Sequence, residues 1–207
     1  MNKIKNIVFD IGNVLFAYNP GKIIDTLIPN TQRKEFYLNA LFLSPLWTKL
    51  DRGDLTPQEA IDFLSHEVDH HPIAIRDLNL LLDHFAYHLD LIFETQDLFL
   101  ELSETFPLYI LSNFQDEPFD KLVSRNSFLR KAKGAVVSGK VQCMKPEPEI
   151  YAHLLHSYAL NPKETLFIDD LEANIEACRA VGMKGIVFQS ASQLKRQLTD
   201  FNIAVRS

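Results

Sequence analysis

The sequence predicts an α/β protein, a doubly wound parallel sheet with a helical unit inserted after its first strand. Three observations carry this. Short β-branched or aromatic runs recur without polar alternation, as strands buried on both faces do. From residue 107 onward these runs alternate with helical patterns. Between the first run and the second lie almost a hundred residues with helical stripes and no convincing strand.

In chain order, IKNIVF at 4–9 is the first strand and Asp10 follows it directly. Residues 18–90 then read as helices. Thr56-Pro57-Gln58-Glu59 combines an N-cap, a proline at the first helical position and a capping-box glutamate. Ala60, Phe63, Leu64 and Val68 form one apolar stripe, and Leu78, Leu81, Leu82 and Phe85 form another at i, i+3, i+4, i+7. LYIL at 108–111 and AVV at 135–137 are strands, 147–159 is a helix, and TLFI at 165–168 is the fourth strand. A helix at 171–181 ends at Gly182, a C-terminal cap, and GIVF at 185–188 closes the series. The expected division is an α/β, Rossmann-like core of residues 1–17 and 91–207 and a helical cap of residues 18–90. An insertion after Asp10 overhangs the carboxyl ends of the strands, where open α/β sheets bind ligands.

With 207 residues, 46% hydrophobic and 23% charged, the chain needs no metal or disulfide to hold its core. A formal charge of −6 with scattered basic residues disfavours a nucleic-acid partner, and the short basic segment 125–133 reads as solvated surface. Cys143 and Cys178 have no CxxC spacing, and the apolar run in MNKIKNIVFD is too short for a signal peptide or membrane span. The expectation is a cytoplasmic protein without a membrane partner, monomeric or homodimeric.

If the strands are parallel, their carboxyl ends gather Asp10, Ser112, Asn113, Lys145 in a loop, Asp169 and Asp170. Carboxylates about 4 Å apart repel by roughly 4 kcal/mol per pair at an effective dielectric of 20, so a cation belongs among them. An oxygen-only ligand set favours Mg2+, and Mg2+ favours phosphate substrates. An aspartate facing a phosphoryl group can attack it and form an aspartyl-phosphate. Lys145 and Ser112 would stabilise the transferring oxygens.

Four ordered motifs, VFDIGNVL (8–15), YILSN (109–113), KPEPEIY (145–151) and FIDDLEANIEACRAVG (167–182), resemble those of the haloacid dehalogenase-like superfamily of phosphatases. The resemblance implies Asp10 as nucleophile and metal ligand, the Gly12 carbonyl and Asp170 as further Mg2+ ligands, and Asp169 acting through water. It implies phosphoryl binding by Ser112 and Lys145, with Asn13 and Asn113 beside them, and Asn174 orienting Lys145 or a metal-bound water. A helical cap that moves against the core also belongs to the resemblance.

Residue 12 departs from the pattern. Most such phosphatases carry there an aspartate that protonates the leaving oxygen, and losing a general acid costs about 100- to 10,000-fold, roughly 3–5 kcal/mol. Asn13 cannot replace it, because an amide does not exchange protons usefully at neutral pH. Three explanations stand: a leaving group that departs unaided, a proton from a metal-bound water or a cap residue, or no hydrolysis at all. FDIGNV with glycine at this position and DDxxxN is similar to bacterial alpha-D-glucose-1-phosphate phosphatases, whose anomeric leaving group suits the first. The superfamily's C-halogen dehalogenases also lack this aspartate, but paired acids such as Asp169-Asp170 would stand uncompensated in their metal-free site. A catalytically weak phosphate-binding or regulatory protein is a third class.

In the cap, Trp47 and Arg52 are candidates for substrate contact, with Tyr18 and Asn19 at its entrance. HEVDH at 66–70 matches a zinc-protease pattern. His66 lies off the apolar stripe and Pro72 soon breaks the helix, so the histidines read as surface residues.

Overall fold

The computed structural model describes residues 3–206. The chain runs through β1 (Asn6–Phe9), β2 (Phe16–Ala17), α1 (Pro20–Leu27), α2 (Lys34–Phe36), α3 (Pro45–Arg52), α4 (Pro57–Glu67), α5 (Pro72–His84) and β3 (Asp90–Leu91). It continues through α6 (Phe93–Ser103), β4 (Leu108–Ser112), α7 (Asp116–Arg125), β5 (Gly134–Val137), α8 (Ser138–Val141) and α9 (Pro148–Ser157). The last elements are β6 (Thr165–Asp169), α10 (Glu172–Ala180), β7 (Lys184–Val187) and α11 (Ala191–Asp200).

Five strands form one parallel sheet in the order β5-β4-β1-β6-β7, with Phe9 opposite Ile110 on one side and Ile168 on the other. The apolar continuity of the strands has its cause in two covered faces. Ile7, Phe9, Leu108, Ile110 and Ile168 enter one apolar cluster, while Val8, Tyr109, Leu111 and Phe167 enter the other. The first cluster also takes in Trp47, Leu78, Leu81 and Phe85 from the helices between β2 and β3, so those helices and one face of the sheet share a single apolar interior.

Two short strands were not expected. Phe16 pairs with Leu91 and Ala17 with Asp90, antiparallel, so the chain leaves the sheet region and returns to it through a narrow ribbon. Two residues are too few to show any periodicity.

The Thr56 capping box forms with both its hydrogen bonds, and Gly182 closes α10 with a positive φ of 90°. Leu78, Leu81, Leu82 and Phe85 are buried as their spacing requires. The stripe on α4 needs correction. Phe63 is 58% exposed and Val68 lies past the helix end, and the buried face is Ala60, Ile61, Leu64 and Ser65. HEVDH straddles that end: α4 stops at Glu67 and His70 has a positive φ of 54°, so the two imidazoles are not i, i+4 neighbours on one helix. Both cysteines are free and buried. Among the described residues no helix is long and apolar enough to cross a membrane.

Candidate active site

The central strand builds the site. Asp10 N–H donates to the Ile168 carbonyl at 3.0 Å, which carries the sheet pairing one residue past β1 and fixes where its carboxylate emerges. Ser112 ends β4 and Asp169 ends β6, the two neighbours of β1, so three side chains meet where the chain order reverses. All three are buried, as is Lys145, which enters from the loop after α8. Its ammonium lies 2.7 Å from both Asp10 Oδ1 and Asp169 Oδ2.

Burial disfavours the Lys145 ammonium, but the two carboxylates outweigh it and hold its pKa above the usual lysine value. Asp10 responds in the opposite sense. Burial pushes its carboxyl up to about 6, with Lys145 opposing and Asp169 adding to the rise. The Lys145 ammonium is the group that faces the buried Asp10 Oδ1.

One oxygen each of Asp10, Asp169 and Asp170 can be drawn from within 4.8 Å of one another. Three carboxylates and one ammonium sum to a charge of −2, which a divalent cation would neutralise. A set of closely spaced carboxylate oxygens with no nitrogen or sulfur among them fits Mg2+. Asp169 is the most committed of the three. Besides Lys145 it accepts from Leu171 N–H at 2.8 Å and from the Asn174 amide at 2.9 and 3.0 Å. Asn174 is therefore tied to Lys145 only through Asp169. Asp170, half-buried, has its pKa raised chiefly by burial and accepts from the Asn13 amide at 3.2 Å.

Two residues expected beside the phosphoryl group have other partners. The Asn113 amide donates to the Lys145 carbonyl at 2.9 Å, and its oxygen accepts from Lys145 N–H at 2.8 Å, so it clamps the lysine's backbone. Asn13, in the left-handed region at φ 53°, spends its amide on Asp170 and its oxygen on Tyr18 N–H. Gly12 lines the cavity, and a Cβ added there would meet open space. A Cβ at this position is thus not sterically excluded.

Above these groups lies a cavity of about 200 Å³. Its floor includes Asp10, Ser112, Lys145 and Asp170, and its walls include Tyr18, Trp47, Phe85, Leu89, Phe114 and Leu171. Trp47 packs at 4.6 Å from Phe42 and 4.8 Å from Phe85, ring centre to ring centre, and is both wall and interior. The Tyr18 hydroxyl is buried without a hydrogen-bond partner. Asn19 and Arg52 do not line this cavity. Asn19 is the N-cap of α1, accepting from Lys22 N–H at 3.0 Å, and Arg52 pairs with Glu147 and with Asp54.

The carboxylate that residues 18–90 bring to the cavity is Asp51, one position before Arg52. It is half-buried, and its Oδ1 accepts from Gln115 Nε2 at 3.3 Å. Burial pushes its carboxyl up to about 8 against hydrogen bonds from Gln115 and Trp47. Its own signal was present: Asp51 lies four residues after Trp47, an acid on the apolar side of α3.

Comparison with known proteins agrees with this geometry. The family model described as haloacid dehalogenase-like hydrolase matches residues 52–188, about two thirds of the chain. Drimenol cyclase drtB of Aspergillus calidoustus is 23% identical over 95% of this chain, which spans only 36% of that protein's length. Sesquiterpene phosphatase astK of Aspergillus oryzae is 26% identical over 88% of each chain. D-ribitol-5-phosphate phosphatase of Bacteroides thetaiotaomicron is 24% identical over 95% of this chain and 97% of its own. A haloacid dehalogenase family enzyme of Bacteroides thetaiotaomicron, solved with magnesium and inorganic phosphate, superposes with a TM-score of 0.72 at 25% identity, covering 92% of this chain and 98% of that one. The chain belongs to the haloacid dehalogenase-like hydrolases.

Proposed function

We propose that this hydrolase is a Mg2+-dependent phosphatase acting on a small phosphorylated metabolite through an aspartyl-phosphate on Asp10. The observation that carries this is the buried carboxylate–lysine–carboxylate cluster on the floor of a cavity, with a third carboxylate beside it. Mg2+, held by Asp10, Asp170 and the Gly12 carbonyl with Asp169 behind them, would neutralise the phosphoryl oxygens and the cluster's charge of −2.

The chain's own groups divide the remaining work. Asp10 Oδ attacks phosphorus, and Lys145, fixed by Asp169 at its ammonium and by Asn113 at its backbone, offsets charge on the transferring oxygens. Ser112 adds a hydroxyl to the same face. Asn174 keeps Asp169 facing the lysine. The helices of residues 18–90 serve as the cap and supply the roof of the cavity.

For the substrate, a sugar phosphate is the leading class and alpha-glucose 1-phosphate a specific suggestion. An apolar sugar face suits the aromatic walls. Those same walls favour a second reading, a phosphorylated terpenoid, in line with one fungal relative's name, sesquiterpene phosphatase. Halide displacement is disfavoured because three clustered carboxylates call for a cation that such chemistry does not use.

Phosphate release from a panel of sugar and prenyl monophosphates, with Mg2+ and with chelator, tests this. Turnover that requires Mg2+, with a higher Mg2+ concentration needed for half-maximal rate in Asp170→Asn, is the expected result. Halide release from 2-haloacids without metal, or no phosphate release from any substrate, would contradict it.

A further inference from the structure

We propose that Asp51 gives the leaving oxygen its proton, the role for which residue 12 has no side chain. This deepens the phosphatase reading and rests on it. Phosphoryl transfer aligns the attacking and leaving oxygens across phosphorus, so with Asp10 below, the leaving oxygen points toward the helical side of the cavity. Asp51 lines that cavity from α3.

Three contacts hold it there. The Asp51 carbonyl accepts from Ser138 Oγ, and that same hydroxyl accepts from Phe114 N–H at 2.9 Å. Gln115 Nε2 donates to the carboxylate at 3.3 Å. Gly53 and Gly139 meet closely enough that a Cβ on Gly53 would lie 2.8 Å from the Gly139 carbonyl oxygen. The end of α3 is thereby seated on the sheet-bearing part of the chain.

Burial leaves the carboxyl protonated near neutral pH, and the groups that face it do not reverse this. They are the amide of Gln115 from the start of α7, the Trp47 side chain on α3 itself, and Tyr18, whose own pKa is raised by burial and by the charge on Asp51. Among the described residues no lysine, arginine or histidine forms an ion pair with Asp51, and Arg52 turns away to Glu147. Unpaired burial keeps the proton on, which is what a general acid needs before the first step.

The proton balance closes over two steps. Asp10 Oδ bonds to phosphorus, the bond from phosphorus to the ester oxygen breaks with its electron pair on that oxygen, and Asp51 supplies the proton that makes it an alcohol. In the second step water attacks phosphorus, the Asp51 carboxylate takes the water's proton, and the electron pair of the aspartyl–phosphorus bond returns to Asp10. The products are alcohol and inorganic phosphate, with Asp51 protonated again.

The test compares glucose 6-phosphate, whose alkoxide leaves poorly, with p-nitrophenyl phosphate, whose leaving group needs no proton. The readout is kcat/KM, which reports the first half-reaction alone. For the wild-type chain, kcat/KM on glucose 6-phosphate should fall as pH rises past about 8, while p-nitrophenyl phosphate shows no such limb. Asp51→Asn should lose about 100-fold or more on glucose 6-phosphate but less than about 10-fold on p-nitrophenyl phosphate, which also shows that the variant is folded. Parallel pH profiles of the wild type, or equal losses in the variant, would overturn the proposal and leave the phosphatase reading standing. No phosphate release by the wild type from either compound or from any member of the monophosphate panel overturns both.

Discussion

Asp10 stands under opposed demands at the residue scale. As the proposed nucleophile it has to be ionised, yet it is buried and stands close to another carboxylate, and both share the Lys145 ammonium. Asp51 is the converse case, a carboxyl with no cation against it. Its folded-state pKa of about 8 lies above the ordinary value of 3.8, so between those values the native chain holds a proton that the unfolded chain has released. Stability at this site is therefore fully present below about pH 4 and declines as pH rises toward 8. Asp51→Asn removes that decline. Thermal melts of the two proteins should converge at pH 4 to 5 and separate toward pH 8, with the variant more stable by on the order of 1 kcal/mol, since the half-buried site is partly screened by solvent. A separation that shrinks toward pH 8 would contradict the assigned direction. Sequence reasoning placed Asp10, Ser112, Lys145, Asp169 and Asp170 because each follows a strand or stands in an ordered motif. It missed Asp51 by one residue, choosing Arg52. One step along a helix turns a side chain about 100°, from the cavity to the half-buried Glu147.

At the element scale, α3 sets the roof of the site. Gly53 ends it in the left-handed conformation, φ 82°, against Gly139. A side chain at residue 53 meets both a backbone penalty of roughly 1–2 kcal/mol and a carbonyl oxygen at 2.8 Å. Gly53→Ala should lower the melting temperature by several degrees and, by displacing the last turn that carries Asp51, lower kcat/KM on alkyl phosphates several-fold. Unchanged kinetics in a destabilised variant would show that the turn does not position the site. The long helices were legible because periodicity, caps and prolines agree within each of them. The ribbon of β2 and β3 was not, since its pairing joins residues 16 and 91 through a contact no local pattern announces. On α4 the buried face turned by about one residue, exposing Phe63 and burying Ile61, because the packing partner and not the stripe fixes the rotation.

The whole molecule joins two apolar clusters, one on each face of the sheet, and the first runs on through Phe114, Phe85 and Trp47 into the wall of the cavity. A hydrolytic floor made by strand ends thus meets a roof made by helices inserted after the first strand. The floor was legible because parallel strands bring their carboxyl ends together wherever they fall in sequence. The roof was legible as overhanging helices with Tyr18 and Trp47, but its seating was not, because Asp51, Gln115 and Ser138 meet only through tertiary packing. Covalent phosphoryl transfer to Asp10, as proposed, can be caught by chemical trapping. Wild-type protein turning over substrate in Mg2+ is quenched, reduced with borohydride and digested, and residue 10 is read by mass spectrometry. Reduction of an aspartyl-phosphate leaves homoserine at position 10, a product expected in the wild type and absent from Asp10→Asn, which should also lose turnover while keeping its fold. Homoserine at another position, or undiminished phosphate release by Asp10→Asn, would contradict the account.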